Sequence, residues 1–329
     1  MAHQRLKIAL AAHGGAGAIG LASERPERRR AMLAALKRGA EILRAGGSAL
    51  DVVEVTVTAL EDHPMFNAGY GSLLNSEGQV EMDASVMLAE PVSEPIAALR
   101  SHVHGPEYRV SAGAVAAVSR VRNPVMLARA VMERTPHILM VGAGAERFAR
   151  RAGIALAKPA EMITERARER WRIREAQRLQ IEEETADGHG TVGAVALDVR
   201  GAIAAATSTG GVPGKLFGRV GDSAIVGAGV FAHAFGGASA TGQGEAIIVT
   251  ALCREAVMAM AESTPQRVAR DAIQELIDST GAEAGLILVD ARGRIGYAHN
   301  AASMQVGTFD PEHGLQHLWL DPIHSRRRQ

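Results

Sequence analysis

The chain has 329 residues, enough for two average domains or for one large α/β core. Lysine plus arginine and aspartate plus glutamate number 36 each, so the formal net charge of zero gives no reason to expect nucleic-acid binding. The single cysteine excludes a disulfide scaffold and a zinc site built from several cysteines, and it favours a cytoplasmic location. No apolar run reaches the roughly 18 residues that a membrane-spanning helix needs, so we expect no association with a membrane.

The first half of the chain is predicted to contain strands and helices in turn. A short apolar run at 6–12 predicts a buried strand, which ends in a glycine-rich sequence at 13–17. Helical spacing predicts a helix over 25–45, ended by two glycines, and Ser48 is the expected N-cap of a second helix to about Leu60. The pattern then predicts a loop at 62–72, a strand at 79–88, a helix at 124–133 and a strand at 137–141.

The composition changes in the middle of the chain. Residues 160–184 are densely charged, with arginines first and glutamates last, which predicts a solvated helix or a mobile linker. Small and β-branched residues follow and predict a hairpin with strands at 191–197 and 202–208. Beyond it we expect a helix at 244–261, another that begins at Pro265, and a second hairpin at 286–298. Two hairpins of small residues indicate closely stacked sheets with helices outside.

Thr191 directly follows Gly190 where the charged segment gives way to the first hairpin. An internal threonine hydroxyl has no base beside it, whereas a threonine at a chain terminus carries its own α-amine, which can accept the hydroxyl proton. Cleavage of the chain before Thr191 would create that arrangement. From spacing alone, the simpler interpretation is that Thr191 begins a strand, as β-branched residues often do.

Three glycine-rich segments follow Thr191, at 207–211, 218–222 and 241–244. A threonine flanked by glycine can present a hydroxyl and a backbone N–H together, as an oxyanion site requires. Arg219 and Asp222 could bind the carboxylate and the ammonium group of one amino acid. Taken singly, the pair could equally be a surface ion pair, and Thr241 could be the N-cap of the next helix.

Eight sequence segments together resemble one family. They are HGTVGAVALD, AAATSTGG, GRVGDS and ATGQGE after residue 188, with HGGAG, PMFNAGYGS, RNPVMLARAVME and NAASM elsewhere in the chain. Taken in chain order, they resemble the plant-type L-asparaginase / isoaspartyl peptidase family. The members of this family are threonine hydrolases of the N-terminal-nucleophile class within the glycosylasparaginase superfamily. The resemblance covers nearly the whole chain.

The resemblance implies an α/β fold, a four-layer αββα sandwich, and maturation by autocatalytic cleavage between Gly190 and Thr191. Residues 1–190 would form an α subunit, with a charged linker at about 160–190, and residues 191–329 a β subunit. Together the two would make one domain, assembled as a heterotetramer (αβ)2. The implied activity is hydrolysis of the β-aspartyl amide of isoaspartyl dipeptides or of L-asparagine, without a catalytic cofactor.

The resemblance also implies a role for individual residues. Thr191 would be the nucleophile, and the remaining implied positions are Thr209 (second active-site threonine), Arg219 (substrate carboxylate), Asp222 (substrate ammonium), Thr241 and Gly242 (oxyanion hole), Gly211 and Gly244 (backbone contacts) and Asn67 (site lining). A structural sodium ion would be held by the main-chain carbonyls of Leu60, Glu61, His63, Phe66, Ala68 and Tyr70.

Two alternatives remain open at the level of sequence. The chain could be a glycosylasparaginase, which cleaves a sugar-linked asparagine, although glycine at position 190 favours the isoaspartyl branch. It could instead be a non-maturing relative that binds a small molecule without hydrolysing it. The loop at 212–215 differs from the polar loop of the family and is expected to border the substrate pocket.

Overall fold

The computed structural model describes residues 7–17, 22–92, 103–104, 108–178 and 190–323. These ranges contain thirteen strands: β1 (Ala9–Ala16), β2 (Met82–Pro91), β3 (Val103–His104), β4 (Tyr108–Val118), β5 (Leu139–Val141), β6 (Val192–Leu197), β7 (Ile203–Thr209), β8 (Val230–His233), β9 (Gly236–Gly242), β10 (Ala284–Asp290), β11 (Ile295–His299), β12 (Met304–Asp310) and β13 (Gly314–Leu320). They also contain eight α-helices: α1 (Arg25–Arg44), α2 (Ala49–Glu61), α3 (Pro124–Arg134), α4 (Gly142–Arg151), α5 (Glu165–Arg178), α6 (Gly244–Thr250), α7 (Leu252–Ala259) and α8 (Pro265–Thr280).

The strands form two sheets. The larger has nine strands in the order β13-β12-β1-β6-β7-β2-β4-β3, with β5 paired parallel to β4, and the smaller has the order β11-β10-β9-β8. Strands from both sides of residue 190 are interleaved in the larger sheet, since β1 pairs with β6 and β12, and β2 pairs with β7. The two predicted subunits therefore share one sheet.

The two sheets stack face to face between two layers of helices. Helices α1, α2 and α3 pack on the outer face of the larger sheet, and α7 and α8 pack on the outer face of the smaller one. The space between the sheets is filled by small and branched side chains such as Ala11, Val195, Ala205, Ile287 and Val289. Such residues let the sheets approach to roughly 10 Å. The predicted four-layer αββα sandwich is confirmed.

Several local predictions are confirmed because short-range chemistry decides them. Ser48 Oγ accepts a hydrogen bond from Asp51 N at 3.1 Å and so caps α2. In the predicted hairpin, β6 and β7 pair from Val192 opposite Ser208 to Leu197 opposite Ile203. The strand predicted at 79–88 is displaced along the chain, since β2 spans Met82–Pro91.

The single helix predicted at 244–261 is wrong. It is interrupted at Ala251, whose φ of 47° lies in the left-handed region, and α6 and α7 lie on either side. The first amides of α7 bond to carbonyls outside the helix, with Cys253 N on Ala228 O at 3.2 Å and Arg254 N on Gly227 O at 2.9 Å. These contacts redirect the chain, so a long-range turn overrides local helical spacing.

The first part of the charged segment is a docked helix and not a mobile linker. In α5, Arg166 lies 3.3 Å from Glu24 and donates to the carbonyl of Met65, also at 3.3 Å. The Trp171 ring lies 3.2 Å from the position that a Cβ on Gly78 would occupy. The rest of the predicted linker, 179–189, lies outside the described residues. Within the described ranges, no helix combines the length and apolarity that crossing a membrane requires.

Candidate active site

Two threonines meet where the β6–β7 hairpin opens. Thr191 directly precedes β6 and Thr209 ends β7, so antiparallel pairing places them side by side. The Thr191 hydroxyl donates to Thr209 Oγ1 at 3.0 Å, and Gly211 N donates to the same oxygen at 3.0 Å. The exposed fractions are 5% for Thr191 and 3% for Thr209. The Thr191 hydroxyl is therefore oriented by a fixed acceptor.

A pocket opens at this pair of threonines. Its lining combines seven predicted site residues with Val212, namely Gly190, Thr191, Thr209, Gly211, Val212, Arg219, Asp222 and Gly242. Val212 belongs to the loop at 212–215, which borders the pocket as expected. Three further predicted residues lie beside this lining. Asn67 donates to Gly211 O, Thr241 precedes Gly242 in β9, and Gly244 lies next to Arg219 and Asp222.

Arg219 and Asp222 face the pocket separately, so the interpretation as a surface ion pair is wrong. Arg219 binds the carboxylate of Glu245 through Nε and Nη2, with N–O distances of 2.8–2.9 Å. Asp222 is 4% exposed, and its Oδ2 has no hydrogen-bond partner among the residues that the structure describes. Burial raises the pKa of Asp222 to about 7, although the nearby Arg219 opposes the shift.

Gly244 permits these two side chains to approach the start of α6. A Cβ at position 244 would lie 2.8 Å from Arg219 Nη2 and 2.9 Å from Asp222 Oδ1. Any larger residue would displace the guanidinium or the carboxylate. The structure thus gives Gly244 a steric role beside the pocket.

Thr241 and Gly242 end strand β9. Thr241 is fully buried and accepts a hydrogen bond from Ala16 N at 3.3 Å, whereas the N-cap of α6 is Gln243. The interpretation of Thr241 as an N-cap is therefore wrong. Gly242 has a φ of 143°, and a Cβ there would collide with the carbonyl oxygen of Glu283. Glycine is required at this position, where the backbone borders the pocket.

Asn67 joins the loop at 62–72 to the active-site segments. Its Nδ2 donates to Gly211 O at 2.7 Å, and its Oδ1 accepts from Leu73 N at 2.8 Å. A Cβ on Gly190 would lie only 2.7 Å from the Cβ of Asn67. Asn67 therefore packs directly against the residue before Thr191.

Sequence reasoning missed the buried groups that support the 218–222 turn. Lys215 Nζ donates to Glu81 O at 2.9 Å and lies 4.0 Å from Asp83 Oδ2, which accepts from Gly221 N at 3.1 Å. Burial lowers the pKa of Lys215 and raises that of Asp83, and each charge opposes the shift of the other. Lys215 is buried because it contacts Glu81 and Asp83, in and next to β2. The sequence of its own short loop therefore does not predict that burial.

His13 is a second missed residue. It stands in the HGGAG segment, where no sequence pattern indicates a role for its side chain. The ring is fully buried, and its Nδ1 lies 3.1 Å from the carbonyl oxygen of Thr191.

The loop at 62–72, where a sodium site is predicted, brings some of the predicted carbonyls close to Gly69 and Gly71. A Cβ on Gly69 would lie 2.6 Å from Glu61 O, and a Cβ on Gly71 would lie 3.0 Å from His63 O and collide with Phe66 O. The carbonyl oxygens of Glu61, His63 and Phe66 therefore lie close to these two glycines. Such neutral oxygen donors suit a hard cation. In the described part of the chain, no group of three or more His, Cys, Asp or Glu side chains could hold a metal ion.

Comparison with known proteins identifies the family. A family model described as Asparaginase matches residues 6–95 and 105–317. The chain is 42% identical over 294 residues to the isoaspartyl peptidase/L-asparaginase of Mus musculus, covering 88% of this chain and 83% of the mouse protein. The human protein of the same name is 44% identical over 244 residues, 74% of this chain and 73% of its own length. The plant-type L-asparaginase of Pyrococcus abyssi is 38% identical over 327 residues, 94% of this chain and 100% of its own length. The chain therefore belongs to this asparaginase family.

Proposed function

We propose that the protein is a self-cleaving amidohydrolase that acts on the β-aspartyl amide of isoaspartyl dipeptides and of L-asparagine. The observation that carries the proposal is the 3.0 Å hydrogen bond from the Thr191 hydroxyl to Thr209, inside a pocket that also holds Arg219 and Asp222. The names of the relatives support it, since those from Mus musculus and Homo sapiens are called isoaspartyl peptidase/L-asparaginase.

Cleavage of the Gly190–Thr191 bond would prepare the nucleophile. The new α-amine of Thr191 accepts the proton of its own hydroxyl, and the Thr209 contact keeps that hydroxyl oriented. The larger sheet includes strands from 1–190 and from 191–329, so the fragments remain paired after the cut. Both fragments therefore contribute to one active site.

Substrate is oriented by two charges. The planar guanidinium of Arg219 binds the substrate α-carboxylate through two parallel hydrogen bonds and displaces the exposed Glu245. The substrate α-ammonium donates to Asp222 Oδ2, which has no partner in the described chain. This pairing leaves the β-carbonyl of the substrate facing Thr191.

The reaction is acyl transfer in two steps. Thr191 Oγ1 attacks the β-carbonyl carbon while its proton moves to the α-amine, and the resulting tetrahedral oxyanion collapses as the C–N bond breaks and the leaving amine takes that proton. Water then attacks the β-aspartyl ester, with the α-amine again as base, and releases aspartate and the free Thr191 hydroxyl. Thr241 and Gly242 stabilise the oxyanion, a role whose loss typically lowers kcat by about 10²–10³.

The remaining parts of the proposal concern the surroundings of the site. A sodium ion held by the carbonyls of the 60–70 segment would stiffen the loop that carries Asn67, and no step of the reaction uses it. The matured protein would be a heterotetramer (αβ)2 in the cytoplasm. Light scattering of the purified protein tests the assembly.

Denaturing electrophoresis with N-terminal sequencing tests the function. We expect two fragments, the smaller beginning at Thr191, and release of leucine from β-aspartyl-leucine and of ammonia from L-asparagine. Thr191→Ala should stay at 34.6 kDa and be inactive, whereas the control Thr250→Ala, on α6, should mature normally. A processed Thr191→Ala chain would refute the assignment of the nucleophile. Activity on glycosylated asparagine alone would establish a glycosylasparaginase, and an intact wild-type chain a non-maturing binding protein.

A further inference from the structure

The ring of His13 crosses the space between the two sheets. His13 lies on β1 of the larger sheet, opposite Gly193 on β6, and its Nε2 lies 2.9 Å from the hydroxyl of Ser239 on β9 of the smaller sheet. A Cβ on Gly193 would lie 2.5 Å from that Nε2 and would collide with Ser239 Oγ. Glycine at position 193 therefore leaves the room that the ring occupies.

The hydrogen-bond partners define the tautomer of His13. The carbonyl of Thr191 can only accept, so Nδ1, at 3.1 Å from it, carries a proton. Burial lowers the pKa of His13 to about 3, so the ring is neutral at ordinary pH and Nε2 is bare. Ser239 must therefore donate to Nε2, and the hydroxyl of Thr207, 2.7 Å from Ser239 Oγ, completes the chain of bonds.

All the side chains of this network are fully buried, and none of them borders the pocket. The network reaches Thr191 through its carbonyl, and Thr207 also lies 2.9 Å from the carbonyl oxygen of Gly229, whose N–H bonds to Asp222 O. Because Nε2 has to accept, the protons run from Ser239 to His13 and from His13 to Thr191 O, whereas the single hydroxyl proton of Thr207 can serve either Ser239 Oγ or Gly229 O.

We propose that His13 is a positioning residue for Thr191 and that Ser239 holds its ring in place, an inference that rests on the proposed function. In the matured protein Thr191 is the first residue of its chain, so rotation about the N–Cα bond of Val192 moves the whole of Thr191, its carbonyl included, relative to the strand. The bond from His13 Nδ1 to the carbonyl opposes that rotation. A displacement of about 1 Å in a catalytic group can lower the rate about 10²-fold.

Two variants of His13 separate the two nitrogens. The amide nitrogen of asparagine reaches the position of Nδ1, whereas that of glutamine reaches the position of Nε2. His13→Asn should keep the bond to Thr191 and most of kcat, whereas His13→Gln should lose about 100-fold in kcat, measured per matured site. The KM for β-aspartyl-leucine should stay unchanged in both, because neither variant touches Arg219 or Asp222.

Ser239→Ala provides a test that keeps the ring. Without the serine hydroxyl the ring loses the hydrogen bond that holds its Nε2 edge, so Nδ1 is held less firmly against the Thr191 carbonyl and kcat should fall while KM stays constant. The matched control is Thr56→Val on α2, which removes a buried hydroxyl that has no partner in the described chain and should leave kcat unchanged. Equal losses in His13→Asn and His13→Gln, or wild-type kcat in both His13→Gln and Ser239→Ala, would overturn the inference. An inactive or uncleaved wild-type protein would instead contradict the proposed function itself.

Discussion

Arg219 directs two nitrogens of its guanidinium at the carboxylate of Glu245, 26 residues along the chain, and not at Asp222, which is closer in sequence. The side chain of Glu245 is 71% exposed, whereas that of Arg219 is 17% exposed. The group proposed to bind the substrate carboxylate is therefore already paired, with a partner that can move into solvent. If Arg219 binds the substrate as proposed, Glu245 competes with the substrate for one set of donors.

Glu245→Gln should consequently lower the KM for β-aspartyl-leucine. An exposed ion pair contributes up to about 1 kcal/mol, which corresponds to roughly a fivefold change in KM. The effect should shrink at high salt, and kcat should stay constant because Glu245 does not touch the reacting atoms. Steady-state kinetics at two ionic strengths measure this, with Glu255→Gln, an exposed glutamate on α7, as control. A higher KM would mean that Glu245 orients Arg219 and does not compete with substrate.

Asp222→Asn should stabilise the substrate-free protein at neutral and alkaline pH. Burial raises the pKa of Asp222 from 3.8 to about 7, so the folded protein holds this proton more tightly than the unfolded chain does. The free energy of unfolding of the wild type therefore falls as the pH rises from about 4 to 7. This fall is absent in Asp222→Asn, because the new side chain does not titrate. The shift corresponds to roughly 4 kcal/mol at most.

The comparison is best made in a chain that cannot cleave itself. Urea unfolding of Thr191→Ala and of Thr191→Ala with Asp222→Asn gives the difference in unfolding free energy at each pH. His13 titrates in both chains and largely cancels. The difference should increase between pH 4 and pH 7 and stay constant above that range. A difference that does not depend on pH would show that the folded protein does not perturb this carboxyl.

Local features such as the Ser48 cap and the β6–β7 hairpin were predictable from sequence. Seven of the residues placed by resemblance line one pocket because they lie at the ends of β6, β7 and β9 or in the loops that follow them. Contacts between distant segments were not predictable. His13 and Ser239 are 226 residues apart, and they meet only because β1 and β9 face each other across the two sheets. The break at Ala251 likewise depends on carbonyls more than twenty residues earlier.

Sodium should raise the thermal stability of the protein saturably. A cation that binds only the folded state stabilises it by RT ln(1 + [Na⁺]/Kd), which is about 2.7 kcal/mol when its concentration is one hundred times Kd. We expect a higher midpoint of thermal unfolding in sodium chloride than in choline chloride of equal ionic strength. Identical unfolding curves in the two salts would contradict a sodium site in the 60–70 segment.

Gly190→Ala should slow self-cleavage more than it slows turnover. The added Cβ would lie 2.7 Å from the Cβ of Asn67, which cannot move without displacing the loop that also holds Gly211 O. Relief of this contact shifts the backbone of residue 190 and with it the scissile bond relative to the Thr191 hydroxyl, and each 1.4 kcal/mol that this adds to the cleavage barrier costs about tenfold in rate. The cut releases residue 190 as a chain end, so kcat per matured site should remain close to that of the wild type.

Densitometry of the precursor band over time measures the rate of self-cleavage. The control is Gly144→Ala, where a Cβ meets nothing within 4 Å. If Gly190→Ala matures at the rate of this control, contact with Asn67 does not limit the cleavage step.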